Sequence, residues 1–264
     1  MSGPVVRRLL WELRVRFPLI ALLLTLWGFA LVALFSTADD QTRTAGLNGN
    51  ISTVFRLAGL DPLAAWTVIG QTHPVFLVAS CLFIIGLGAR SVAGDLESGT
   101  LDLTLARPLR RRTYLASHLA VLVPGTALLT LGYAFGTVTA DRIFDPPGAT
   151  LAVSRMALAA GQAWLLFMAL GALAFLVSAL MSERGRALSV AIGITIGMYV
   201  ANFLFALWEP IRFLTRATLF WYFTPGPTIQ FGDVRWWDCA VLAGFTVAAL
   251  TAAFVVFQRR DLAR

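Results

Sequence analysis

Six long runs of apolar residues organise this chain, at roughly 18–35, 74–89, 115–139, 156–181, 187–208 and 238–257. A hydrocarbon layer ~30 Å thick is crossed by about 20 helical residues, each rising ~1.5 Å. Lipid offers no partner for backbone N–H and C=O groups, so a spanning segment must be a helix or part of a closed barrel. Barrel strands alternate apolar and polar residues, whereas these runs are continuous. Of the 264 residues, 58% are apolar and only 13% charged. The expected fold is an all-α membrane protein, a single transmembrane domain over residues 1–264 with six transmembrane helices. The second run is short, and its helix is expected to begin nearer Val68 or end nearer Val92.

All 21 basic residues are arginine; lysine is absent. That removes the Gly-rich loop ending in Lys-Ser/Thr that cradles ATP phosphates, and with it any Schiff-base lysine. Cys81 and Cys239 lie in or at the ends of different runs, without the spacing of a bonded or metal-binding pair, and read as small apolar fillers. His73 and His118 each stand alone in sequence. Nothing in the chain has the pattern of a catalytic or metal-binding residue, so it is not expected to be an enzyme.

With six spans, both termini share a side with the loops after the second and fourth spans. Most arginines fall there: Arg7, Arg8, Arg14, Arg16, Arg90, Arg107, Arg110, Arg111, Arg112, Arg184, Arg186, Arg259, Arg260 and Arg264. The other side has fewer, offset by Asp39, Asp40, Asp61, Asp141, Asp145, Glu209, Asp233 and Asp238. Arginine near span ends stays cytoplasmic. Both termini are therefore expected inside, in the cytoplasmic (inner) membrane of the cell. Trp66, Trp208, Trp221, Tyr222, Trp236 and Trp237 gather at the opposite face, as interfacial anchors do.

Residues 1–17 place Val6, Leu9, Leu10, Leu13 and Phe17 on one helical face and Arg7, Arg8 and Arg14 toward the other. A basic amphipathic helix lying on the inner membrane surface is expected there, and a short cytoplasmic tail at 258–264. The outer connection 36–71 contains Ile51–Leu60, which has the makings of a short surface helix. The other, 209–237, carries Arg212 and Arg216 four residues apart on one face, then a break at Pro225-Gly-Pro.

Ionisable groups inside a membrane mark proton and ion routes, and the span interiors contain essentially none. Their polar groups are uncharged, notably Gln162, Tyr199 and Asn202, candidates for interhelical hydrogen bonds or for lining a pathway. Gly132-x-x-x-Gly136 and Gly193-x-x-x-Gly197 have the spacing that lets helices approach closely. Without buried charge, a proton- or sodium-driven pump is not indicated.

Between the second and third runs lies a polar island, Gly88–Thr113, mixing Arg, Asp and Glu and ending in Arg110-Arg-Arg112. Charge of that density belongs in water. A short helix at Ser91–Leu96 is expected to project from the membrane, with Ser98-Gly99-Thr100 punctuating it and Pro108 ending any helix ahead of the basic run.

At Glu97-Ser-Gly-Thr-Leu-Asp-Leu-Thr-Leu-Ala-Arg-Pro-Leu109, followed by a basic residue and a new span, the chain resembles the membrane (permease) subunit of ATP-binding-cassette transporters of the type-2 permease class. The carboxyl end, Phe257-Gln-Arg-Arg-Asp-Leu262, is similar to the basic-acidic tail of that family. Members often carry Gly-Lys where the third span begins; here Ser117-His118 stands in that place. The resemblance implies two copies of a separate ATPase subunit that bind ATP and Mg2+, docked on a cytoplasmic coupling loop between spans 2 and 3. It implies Asp95, Glu97, Gly99, Thr100, Arg107 and Pro108 as docking and coupling residues, and no cofactor on this chain. It further implies a second permease subunit, identical or related, in the lipid bilayer, no nucleic-acid partner, and export of a hydrophobic or amphipathic compound such as a drug, antibiotic or lipid. The alternative is an ATPase-coupled membrane regulator or assembly protein that carries no cargo.

Overall fold

A computed structural model describes residues 3–37, 61–100, 111–146 and 150–260. The expected helix at Ile51–Leu60, the tail beyond 260, and Arg107 and Pro108 lie outside the described residues. The described chain is helical nearly throughout, with no strand among the described residues. Six of its helices are long and apolar enough to cross a membrane. It is a multi-pass membrane protein.

The elements run α1 (Gly3–Leu13), α2 (Arg16–Thr37), α3 (Pro62–Thr72), α4 (Pro74–Ala89), α5 (Arg111–Phe144), α6 (Val153–Leu180), α7 (Arg184–Leu207), α8 (Pro225–Phe231) and α9 (Trp236–Arg259). Span 1 is α2. Span 2 is α3 and α4 with their extension to Glu97, and spans 3 to 6 are α5, α6, α7 and α9. Two 3-10 segments, Glu209–Ala217 and Leu219–Tyr222, connect span 5 to α8. The expected break at Pro225 instead opens α8, because proline suits a first helical turn, where no N–H is needed.

Span 2 extends the sequence-based range at both ends. It starts at Pro62 behind the Asp61 cap, whose carboxylate accepts from Ala64 N at 2.8 Å. At His73 the backbone turns extended (φ −65°, ψ 143°), and the imidazole Nδ1 accepts from Val75 N at 3.2 Å, restarting the helix at Pro74. At the other end the helix does not stop at Ala89. It widens into a π turn over Arg90–Gly94, and a last short turn at Asp95–Glu97 follows. Ser91, Val92, Ala93 and Asp95 are buried, so the segment expected to project from the membrane packs against span 4 instead.

A π turn leaves ladder groups misaligned, and here span 4 satisfies them. Ser178 Oγ accepts from Val92 N (3.1 Å) and Ala93 N (2.9 Å) and donates to the Ala89 carbonyl (2.8 Å). Gly99, at φ +69°, closes the segment in the left-handed conformation that glycine adopts without penalty.

Span 4 is the centre of the bundle, buried along most of its length against spans 2, 3 and 6. Small residues set its approach: a Cβ on Gly88 of span 2 would stand 2.9 Å from the Gly171 carbonyl. Spans 1 and 3 touch still more closely. A Cβ on Gly136 would fall 2.0 Å from the Thr25 carbonyl, and one on Gly132 2.8 Å from Thr25 Oγ1. Of the two glycine pairs, Gly132/Gly136 is therefore a packing seam. Gly193 and Gly197 meet nothing within 4 Å among the described residues.

Span 5 stands apart. The described residues bury only its Ala187, Ala191 and Thr195. Helix α1 buries Val5 and Leu9 against the bundle and leaves Leu10 and Trp11 exposed. Its apolar face thus covers protein as well as facing outward, and Leu10 lines one pocket with Val6, Leu13 and Phe17.

Candidate functional site

The arginine-rich end of the bundle carries a belt of polar contacts that joins span 2 to α1 and to spans 3 and 5, and spans 3 and 4 to span 6. At its centre is Asp95, only 2% exposed. Arg8 of α1 donates to its carboxylate, as does the Tyr114 hydroxyl of span 3. That hydroxyl also lies 2.9 Å from the Ser91 carbonyl. A buried carboxylate is tolerated only when paired and hydrogen-bonded, and Asp95 meets both conditions. Burial acts to lower the Arg8 pKa, but the hydrogen bond and charge of Asp95 outweigh it, and the guanidinium is held above its ordinary value. Next to this pair, Arg90 bonds Glu12 at 2.9 Å, a second tie between α1 and span 2.

Glu97 is exposed, and its carboxylate accepts from Arg184 N at 2.7 Å, capping the first turn of span 5. An anion at a helix N-terminus also complements the helix dipole. Thr100 Oγ1 lies 2.9 Å from Ser98 Oγ and 3.3 Å from the Asp95 carbonyl.

Two more arginines tie down helix C-termini, whose last carbonyls have no helical partner. Arg111 donates to the carbonyls of Phe257 (3.0 Å), Gln258 (3.2 Å) and Arg260 (2.7 Å). Arg260 donates to those of Ala179 (2.9 Å) and Met181 (2.8 Å), and to Ser182 Oγ (2.7 Å).

The sequence-based docking set therefore divides. Glu97, Gly99 and Thr100 stand together at the end of span 2, whereas Asp95 is turned inward and cannot present itself to another protein. Its position on the inner face follows from the π turn, which spacing alone does not reveal. Arg8 and Tyr114 went unrecognised as its partners. Their separations, 87 and 19 residues, leave no local pattern, and the only hint was an acid amid apolar neighbours.

The second element of the site is a groove between spans 2 and 5. A pocket of about 140 Å³, whose lining includes Leu77, Cys81, Ile85, Ile192 and Tyr199, opens at its far half. The Tyr199 ring stands edge-on to Phe220 at 5.3 Å. Of the polar span residues singled out above, only Tyr199 faces this groove. Asn202 accepts from Thr218 Oγ1 at 2.9 Å, fastening span 5 to the 3-10 connection. Gln162 is buried in span 4, its Oε1 without a partner among the described residues. The three do not converge.

Residues 19–263 match the model of a family described as protein of unknown function (DUF2705). No curated protein matches the chain.

Proposed function

We propose that this chain, which belongs to the DUF2705 family, is the membrane permease subunit of an ATP-driven exporter, working as a pair of permease chains with two copies of a separate ATPase. The observation that carries the reading is the belt. The end of span 2 is tied to α1 and span 3 through Asp95 and to span 5 through Glu97. A push on the Glu97–Thr100 corner is thereby delivered to three other helices at once, as a chain without its own ATP cradle requires. The resemblance of Glu97–Leu109 to the coupling segment of type-2 permeases supports the same assignment. In this reading the arginine-rich end, with α1 at the inner surface, faces the cytoplasm, where the ATPases bind ATP and Mg2+.

Span 5 supplies the surface for the second permease chain. Gly193 and Gly197 leave its outward face smooth, and Ile194, Val200 and Leu204 beside them are exposed. Without a hydrophobic drive between helices in lipid, such close-packing faces are where spans associate. The apolar groove beside it suits a hydrophobic or amphipathic cargo.

The test is whether the chain co-purifies with a separate phosphate-loop ATPase from its native membrane, followed by ATPase and vesicle-efflux assays on the complex. Glu97→Arg is expected to abolish cargo-stimulated hydrolysis while leaving the chain folded. Absence of any associated ATPase, or undiminished stimulation in that variant, refutes the assignment. Binding and stimulated hydrolysis without efflux of any labelled amphiphile would favour the regulator.

A further inference from the structure

At the arginine-rich end, the groove between spans 2 and 5 opens into a cleft of about 270 Å³ whose rim carries Arg16, Arg90 and Arg184. Arg90 is occupied by Glu12 at 2.9 Å. Arg16 and Arg184 pair with no carboxylate among the described residues, so the rim has unspent positive charge. Below it the walls are apolar, and Leu82 and Ile192 line both this cleft and the pocket farther out. The two cavities thus adjoin at these side chains. Taken end to end as one trough they follow span 5 from Arg184 to Tyr199, 15 residues or about 22 Å at the helical rise, the reach of one long acyl chain. Gly86 is part of its lining, and a Cβ there would meet nothing within 4 Å among the described residues.

We infer that this trough binds one anionic phospholipid, its phosphate between Arg16 and Arg184 and one acyl chain against Gly86, Leu82 and Ile192. Charge complementarity selects this occupant: basic clefts between spans hold anionic head groups, while the apolar shaft excludes a small free anion as the whole ligand. The inference does not depend on the transport reading, since a bound lipid serves an exporter and a regulator alike.

The test is native mass spectrometry of the full chain released from micelles containing equal phosphatidylglycerol and phosphatidylcholine. Phosphatidylglycerol is expected to be retained preferentially. Arg16→Gln and Arg184→Gln should each reduce its retention about fivefold, which corresponds to ~1 kcal/mol per basic residue. Arg186→Gln removes the same charge from an exposed neighbour paired with Glu183, and should leave retention unchanged. Gly86→Leu fills the trough and should evict the lipid, with no fall in melting temperature when both chains are compared in lipid-free detergent. Equal retention of both lipids, an equal loss in Arg186→Gln, retention undiminished in Gly86→Leu, or displacement of the lipid by millimolar inorganic phosphate would each overturn the assignment.

Discussion

The tie between Arg8 and Asp95 can be measured as a coupling energy. Removing one member of a buried ion pair costs ~3–5 kcal/mol when the survivor is fully enclosed. Here Asp95 is enclosed, but the Arg8 side chain keeps 31% exposure, and Tyr114 still donates to the carboxylate when Arg8 is gone. A hydrogen bond to a charged group contributes ~1.5–3 kcal/mol, so Arg8→Gln should destabilise the chain by about 2 kcal/mol. Asp95→Asn keeps the shape of the site and should cost about the same, because the guanidinium then faces a neutral amide. The double variant should cost little more than either single change, giving a coupling energy near 2 kcal/mol, or about thirtyfold in the folding equilibrium. Reversible unfolding in mixed detergent micelles, read by tryptophan fluorescence, measures all four chains. Additive effects, with a coupling below ~0.5 kcal/mol, would refute the argument that α1 is fastened through Asp95.

Four further outcomes follow from the packing. Gly136→Ala places a methyl against the Thr25 carbonyl and should destabilise the chain by ~1–3 kcal/mol. Gly193→Ala, with open space around it, should be neutral or stabilising by up to ~1 kcal/mol in dissociated chains; thermal unfolding of both variants decides. Ser178→Ala strands two buried N–H groups, and is expected to cost about 2–3 kcal/mol and to raise hydrogen exchange at Val92 and Ala93. Gly193→Cys in membranes should give a disulfide-linked dimer on mild oxidation, while Gly136→Cys should not; failure of Gly193→Cys to cross-link would place the second copy elsewhere.

The spans were readable in the sequence because hydrocarbon thickness dictates an apolar run of fixed length, and each of the six reappears as a helix. The ends of span 2 were not. Asp95 and Glu97 look alike in composition, yet one is buried and the other exposed, and only the helix register separates them. The two glycine pairs make the same point: identical spacing, but Gly136 has the Thr25 backbone opposite it and Gly193 has open space. Spacing states that a close approach is allowed, not which neighbour accepts it. His73 was legible only as a lone histidine, because its capping role needs the extended backbone ahead of Pro74. Interactions bridging 87 residues, as between Arg8 and Asp95, are settled by packing alone.

The Ser178 hydroxyl also fixes the rotational phase of the end of span 2. A π turn accommodates one more residue than the α-helical ladder it interrupts, and each residue turns a helix by about 100°. Were the turn to relax to α geometry, everything beyond Gly94 would rotate by that angle, swinging Asp95 away from Arg8 and Tyr114 and shifting Glu97 off the start of span 5. The two carboxylates are thus keyed to a single hydroxyl on a different span, and a one-residue slip in span 2 would release both contacts together.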